Sequence, residues 1–423
     1  MASGLIEHPL RRTLANEVHA RPFEVIGSPC RVSHIALLGD ETLFVAEWDR
    51  LLDLCRRHGV EPPPSTSFIS ADLGAFRLRW ERHGEFSTYT FFRFDDFDAP
   101  FADTAFDLIP RGWLGELPGQ MLVALHLAVE TRERDPAGLA QAFEGNQLIG
   151  SRVNGGAGAA WTDFRLHGDG FGRALILNQS LTRGQTGRLV QRLVEIETYR
   201  MMALLAFPVA REATSVLNRI ESRVAGIVTE MSSADSSSDE RDLLATLTAL
   251  AAETERLAAT TSYRFTAARA YHAIVTHRID VLREARIPGT QTVSEFMDRR
   301  LAPAMLTCRS VTERLEILSR HLARAGDLLR TRVDIALEEN NRDLLLSMDR
   351  RAKVQLRLQQ TVEGLSVVAI SYYLLGLLGY VAKGAKALGA PVDPELAVLL
   401  GLPVVFVLVA VGVRRLRHAL GGE

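Results

Sequence analysis

The period of the apolar positions changes twice along this chain. From residue 30 to residue 178 they come in short runs rich in β-branched, aromatic and aliphatic side chains, at 30–38, 75–80, 86–94, 121–129, 147–153 and 174–177, separated by turn-forming residues. Strands have that length and composition. Between them, 41–58 carries Leu43, Phe44, Ala46, Trp48, Leu51, Leu52 and Leu54 near helical spacing, and 136–145 has the length of a shorter helix. Strands interleaved with helices predict an α/β domain with a mixed or antiparallel sheet over residues 1–180.

After residue 178 the strand pattern stops and the helical period takes over. Thr182 and Gln185 have the spacing of a capping box that opens a helix reaching residue 231, and a serine-rich run follows at 232–238. A second helix then runs from 239 to 285 and stops at Pro288 and Gly289. Together they predict a long antiparallel helical hairpin over 181–290, with the serine run as a solvated turn or a phosphorylated loop at its tip. Thr292 and Glu295 form another capping box, after which only Pro303 interrupts the helical pattern, so a stalk helix is expected over 291–363. Leu315, Leu318, Leu322, Ala325 and Leu329, then Val333, Leu337, Asn340 and Leu344, make an apolar stripe along it. The stripe needs a partner, either the preceding hairpin or the same helix of another subunit. Asn340 is either a register-fixing polar residue in an oligomer or a solvated one.

Two uncharged apolar runs follow, 364–382 and 396–413, joined by thirteen residues. At a helical rise of about 1.5 Å per residue they span roughly 27 to 29 Å, the hydrocarbon thickness of a bilayer. They predict a two-helix transmembrane hairpin over 364–413; the alternative is a pair of buried core helices. Arg350, Arg351, Lys353 and Arg357 precede the hairpin, and Arg414, Arg415 and Arg417 follow it in a basic tail, 414–423. The connecting loop has only Lys383 and Lys386, offset by Asp393 and Glu395, so the positive-inside bias places both termini in the cytoplasm.

Within the first apolar run, Gln359, Ser366, Tyr373 and Tyr380 recur every seven residues, with Val362, Ala369 and Gly376 between them. One face is therefore polar or small, and in lipid it must line a helix interface or a pore. Gln359, Ser366, Tyr373, Gly376 and Tyr380 are the pore-lining candidates. Glu363, at the cytosolic edge, is either a pore-mouth carboxylate or one that reaches water. The second run offers only Gly401, Pro403 and Gly412 as irregularities and suits a lipid-facing position. A ring of first helices enclosed by second helices satisfies both patterns, and so does a closed bundle with no path. Farther up the stalk, Asp334, Glu338, Glu339 and Asp343 form either a solvated face or oxygen ligands for a hard divalent ion between subunits.

Composition narrows the partners. With 423 residues, 47% hydrophobic and 24% charged, the chain can bury a large core in two or three units. A net charge of -2 gives no electrostatic reason to expect nucleic acid. Cys30, Cys55 and Cys308 are odd in number and widely spaced, which argues against a disulfide framework and fits the cytosol. No phosphate-binding loop, His-Glu-x-x-His, Gly-x-Ser-x-Gly or Cys-x-x-Cys motif occurs, and Gly155, Gly156 and Gly158 after Asn154 read as a strand turn. His8 and His19 flank Asn16, Glu17 and Arg21 in a polar cluster that is either a docked structural segment or an acid/base or metal site. Neither an enzyme nor a cofactor is expected.

The segments Asn16-Glu-Val-His-Ala-Arg-Pro-Phe23, Gln185-Thr-Gly-Arg-Leu-Val-Gln-Arg-Leu-Val-Glu-Ile-Glu-Thr-Tyr-Arg200 and Leu358-Gln-Gln-Thr-Val-Glu-Gly-Leu-Ser-Val-Val-Ala-Ile-Ser-Tyr-Tyr373 resemble those of a bacterial domain-of-unknown-function family, over nearly the whole chain. That family's members are described as predicted membrane-anchored proteins, which implies a two-pass protein of the bacterial inner membrane. The predicted architecture also resembles the CorA-type magnesium channels, which are homopentamers. That resemblance implies an α+β membrane protein of CorA-like build, a homo-oligomer, with a metal ion as cargo and the lipid bilayer as partner. Where that family ends its first membrane helix with Gly-Met-Asn, this chain has Gly379-Tyr380-Val381, and Lys383 and Lys386 follow near the outer mouth. The expected function is passive ion permeation along the first membrane helices; the alternative is a non-conducting anchored scaffold or regulatory protein that recruits a cytosolic partner.

Overall fold

In the computed structural model, residues 7–17, 22–61, 67–231 and 237–420 are described. The strands are β1 (Cys30–Leu38), β2 (Phe68–Asp72), β3 (Arg77–Arg82), β4 (Phe86–Arg93), β5 (Gln120–Glu130), β6 (Ile149–Val153), β7 (Gly158–Thr162), β8 (Gly172–Asn178) and β9 (Ala285–Arg286). The α-helices are α1 (Arg11–Glu17), α2 (Glu41–Arg57), α3 (Arg111–Gly115), α4 (Pro136–Ala142), α5 (Arg183–Leu204), α6 (Ala206–Met231), α7 (Ser237–Leu282), α8 (Val293–Arg300), α9 (Ala302–Ala387) and α10 (Pro394–Leu420). The chain divides into two compact units, one made of residues 1–233 and 245–326, the other of 234–244 and 327–423.

In the first unit the described strands form one mixed sheet in the order β2-β3-β4-β1-β5-β8-β7-β6-β9. Every neighbouring pair is antiparallel except β5 and β8. Side chains alternate across β1: Cys30 and Val32 enter the core under α5, whereas Ile35 and Leu37 enter the core that holds Leu51 and Leu54 of α2. β4 alternates likewise, with Phe92 on the α5 side and Tyr89 and Phe91 on the α2 side. Strands buried on both faces explain why their sequences read as continuous apolar runs. The core under α5 also takes Val275, Ile279 and Leu282 of α7 and Val293 and Met297 of α8, so these helices close over the sheet.

Three short strands escape the sequence pattern. β7 is Gly-Ala-Ala-Trp-Thr, without a β-branched residue until its end. Its small residues are required by crowding, since a Cβ on Gly158 would lie 2.9 Å from the Leu177 carbonyl oxygen. β2 and β9 are only five and two residues long. The helix expected from Thr182 to 231 is broken at Leu205, between α5 and α6. Pro208 supplies no N–H to the carbonyl of Leu204, so the first helix ends there and a second begins. Both capping boxes form: Thr182 with Gln185 opens α5, and Thr292 with Glu295 opens α8. The Gly155 turn joins β6 to β7, with Asn154, Gly155 and Gly156 at φ of 51°, 71° and 89°.

Also in the first unit, α6, α7 and the start of α9 pack as a bundle. Arg314 donates to Glu221 at 3.0 and 2.6 Å and to Asn218 at 2.6 Å, and Ser319 donates to Glu255 at 3.1 Å. Leu315, Leu318, Leu322 and Ala325 of the predicted stripe are buried there. The hairpin that precedes the stalk is therefore the partner of this part.

In the second unit Leu329 and Val333 are still buried, and Arg332 approaches Glu240 at 3.8 Å. Beyond them, every residue from 337 to 362 is exposed, Asn340 included. α9 and α10 then pack together where Gly379 faces Val398 and Gly401 faces Leu378. Both helices hold stretches long and apolar enough to cross a membrane, with mean hydropathy of 1.9 and 2.9.

Candidate functional site

The predicted stripe on α9 lies on one side of the helix. Gln359, Ser366, Tyr373, Gly376 and Tyr380 are all exposed, while the opposite side, through Ser371 and Ala382, is buried. At about 100° per residue, Tyr373 stands roughly 200° around the helix from Ser371. Ser366 returns its hydroxyl to the Val362 carbonyl at 2.9 Å, and Tyr372 and Tyr373 sit edge to face at 5.9 Å. Glu363 is half-buried. Ser371 has no counterpart in the sequence reading: it is the polar residue of the packed side, and its Oγ makes no hydrogen bond among the described residues. Small side chains at Gly379 and Gly401 permit the close approach of the two helices; a Cβ on Gly401 would come within 2.4 Å of Leu378.

The other sequence candidates do not converge. Asp334, Glu338, Glu339 and Asp343 are exposed along α9, and no three His, Cys, Asp or Glu side chains among the described residues gather as a metal site. His8 accepts from the Leu10 amide at 3.2 Å in a local turn, whereas His19, Arg21 and serine-run residues 232–236 lie outside the described residues.

What sequence reasoning missed is a cavity of about 50 Å³ between α5 and the sheet face of β1, β3 and β4. Its floor is His34, whose Nε2 lies 3.0 Å from Thr198 Oγ1 and whose Nδ1 lies 2.8 Å from Thr90 Oγ1. Thr198 donates to the Val194 carbonyl, so it must accept from His34, which assigns the imidazole proton to Nε2. Burial, aided by His83, pushes the imidazole pKa down to about 3, so the ring is neutral. Along the rim, Arg79 donates through Nε to Glu81 and through Nη1 to the Pro22 carbonyl. Its Nη2 is buried with no partner among the described residues. Glu24 accepts from Ser70 at 2.5 Å and from Arg77 at 3.1 Å, and Glu195 accepts from Gln191 at 2.9 Å and from Arg278.

One glycine-dependent contact closes an end of this cavity. A Cβ on Gly187 would lie 1.7 Å from the Glu24 carbonyl oxygen, so only glycine lets the 22–27 segment cross α5 at this height. Arg188 then covers the Phe23 ring at 4.7 Å, and Ile26 donates its amide to Arg183. The sequence matches, over residues 6–420, the family described as "Protein of unknown function (DUF3422)". The chain belongs to that family. No curated protein matches it. In this member of the DUF3422 family, the second of the three segments that carried the resemblance lines the cavity through Gly187, Val190 and Gln191, and the first ends beside it, where the Pro22 carbonyl accepts from Arg79.

Two further buried polar groups occupy the sheet's other side. His126 stacks on Phe171 at 4.0 Å and meets Ser33 at 2.9 Å, and burial takes its pKa down to about 4. His167 is held between Asp163 at 2.9 Å and Glu144 at 3.1 Å, with Arg173 on the far oxygen of Glu144 at 3.0 Å. Ser33 pairs with His126 without a carboxylate hydrogen-bonded to that ring, and His167 has carboxylates without a hydroxyl or thiol, so among the described residues neither histidine completes a relay of the Ser-His-Asp kind. Cys30, Cys55 and Cys308 are buried free thiols whose pKa values burial raises, which keeps them unreactive.

Proposed function

We propose that this DUF3422 protein is a two-pass membrane protein that assembles from copies of itself around α9 and lets a small inorganic ion pass along that helix, without covalent chemistry. The observation that carries this reading is the position of the stripe. Gln359, Ser366, Tyr373, Gly376 and Tyr380 lie on the side of α9 that α10 leaves uncovered. In hydrocarbon the Tyr373 and Tyr380 hydroxyls and the Gln359 amide need protein or water, which neighbouring copies of α9 supply, while Ser366 bonds back to its own helix. The stalk asks for the same cover. Leu344, Leu345 and Met348 are 61%, 67% and 61% exposed, an apolar surface that copies of the same helix would bury. α10, without a polar side chain from 396 to 413, suits the lipid-facing shell.

The positive-inside bias of the flanking arginines orients both termini to the cytoplasm of a bacterial inner membrane. Such a build is CorA-like, with movement of the stalk against the cytosolic body as the gate. Tyr380 takes the place of the amide-bearing mouth of those channels, and Lys383 and Lys386 add positive charge there, so magnesium selectivity is not part of the proposal.

The test is a subunit count on full-length protein in mild detergent, followed by ion flux in liposomes. A ring-like oligomer whose flux changes in Tyr373→Ala is expected. Protein that stays in the supernatant without detergent, or a monomer with silent liposomes, overturns the reading. An intact oligomer with silent liposomes selects the anchored scaffold instead.

A further inference from the structure

The cavity under α5 contains polar groups of opposite kind that the chain does not pair. Arg79 is held in place through Nε and Nη1, and its side chain is only 6% exposed, yet Nη2 has no acceptor among the described residues and no solvent. A buried guanidinium N–H left without an acceptor is uncommon in native structures and marks a place where something else accepts. Glu81 and Gln191 line the same space; Arg79 Nε takes one Glu81 oxygen, which leaves the second, and the Gln191 amide oxygen accepts no hydrogen bond among the described residues. Ile26, Phe92 and Val190 supply apolar wall beside the His34 floor and the threonines around it.

Charge and size narrow the occupant. Glu24, Glu81 and Glu195 disfavour a free anion, and Arg79 disfavours a free amine, whereas a molecule carrying both charges adds no net charge to a balanced site. A space of about 50 Å³ holds roughly four waters at about 10–15 Å³ each, which matches a molecule of five or six heavy atoms. We propose that this cavity binds a small free α-amino acid of glycine or alanine size, its carboxylate accepting from Arg79 Nη2 and its ammonium donating to Glu81 and Gln191. The side chain, if any, rests on Ile26, Phe92 and Val190. This site does not depend on the permeation reading, because every residue in it belongs to the first unit.

The experiment is isothermal titration calorimetry on full-length protein in detergent, with glycine and L-alanine against methylamine, acetate and L-tryptophan as probes. Glycine or L-alanine binding at one site per chain is expected, with no heat from the other three. Arg79→Met should abolish it. Arg79 also holds Glu81 and the 22–27 segment, so Val190→Phe is the second variant: it fills the space without removing a polar partner, and should lose binding at least tenfold while circular dichroism shows the fold retained at a melting temperature a few degrees lower. The proposal is overturned if neither amino acid binds below millimolar concentration, if methylamine or acetate alone binds as well, or if Val190→Phe keeps wild-type affinity. Flux and subunit count report on the membrane reading alone, so the two fail separately.

Discussion

Glu47 is the place where a single substitution should change how stability depends on pH. It lies on α2 and is 1% exposed, packed against β3 and β4. Ser87 donates to Oε1 at 2.7 Å, but among the described residues Oε2 has no partner, and the nearby Trp80 Nε1 and Tyr89 hydroxyl are also buried without hydrogen bonds of normal geometry. Burial pushes the Glu47 carboxyl up from 4.5 to about 7; Ser87, Trp80, Tyr89 and the Arg82 charge oppose that rise without cancelling it. A folded-state pKa above the unfolded one means that the folded protein binds the extra proton. The associated stability is fully present below pH 4.5 and is lost as pH rises toward 7.

The shift from 4.5 to about 7 corresponds to about 3 kcal/mol once the carboxyl must ionise in the fold. Glu47→Gln cannot ionise. Relative to wild type it should gain about 3 kcal/mol on going from pH 4.5 to pH 8, or about 5 °C in melting temperature for a unit of this size. The amide adds a constant offset, because Ser87 and Trp80 are donors and its own NH2 finds no acceptor, so the pH-dependent difference is the quantity to read. Thermal melts of both proteins from pH 4.5 to 8.5 in one detergent, with Trp fluorescence as a second probe, measure it. Parallel curves for the two proteins across that range would refute the assignment.

On the acid side two of the buried imidazoles act with the sign opposite to that of Glu47. His34 and His126 have folded pKa values of about 3 and about 4, below the ordinary 6.5, so stability is lost as pH falls from 6.5 toward 4; His126→Phe should flatten that limb, and an unchanged acid slope would count against it. Gly187→Ala places a Cβ 1.7 Å from the Glu24 carbonyl oxygen and should lower stability by about 1–3 kcal/mol as the 22–27 segment lifts from α5; a melting temperature equal to wild type would show that the segment gives way freely. Gly401→Leu drives a side chain into Leu378 and should cost a similar 1–3 kcal/mol in the α9–α10 pairing, read as earlier unfolding in detergent, with no change if the two helices separate there.

Much of this structure was legible because long periods survive local noise. The stalk pattern from Leu315 to Ala325 identified a buried face correctly, yet it could not say where the cover would stop, since Leu337 and Leu344 continue the same period and are exposed. The break at Leu205 was written in Pro208, but only as a consequence for a carbonyl four residues earlier. Short elements such as β7 and β9 carry too few residues to show a period; their pairing comes from β6 and β8, which lie far along the chain from β9.

The hidden sites share one signature, a polar residue standing at an apolar phase. Glu47 falls in helical register with Phe44, Leu51 and Leu54, all buried, and His34 sits on the β1 face of Val32 and Ala36. Such residues must either find internal partners or hold a site open, and the sequence cannot choose between these outcomes because the partners arrive from elsewhere in the chain. For His34 they come from β4 and α5, and the ring is satisfied. For Arg79 one partner is the Pro22 carbonyl, 57 residues away, and Nη2 is left over. The stripe on α9 obeys the same logic at larger scale: a set of polar groups at fixed phase on an apolar helix, with the side facing α10 already filled, is what the proposed assembly of copies would cover.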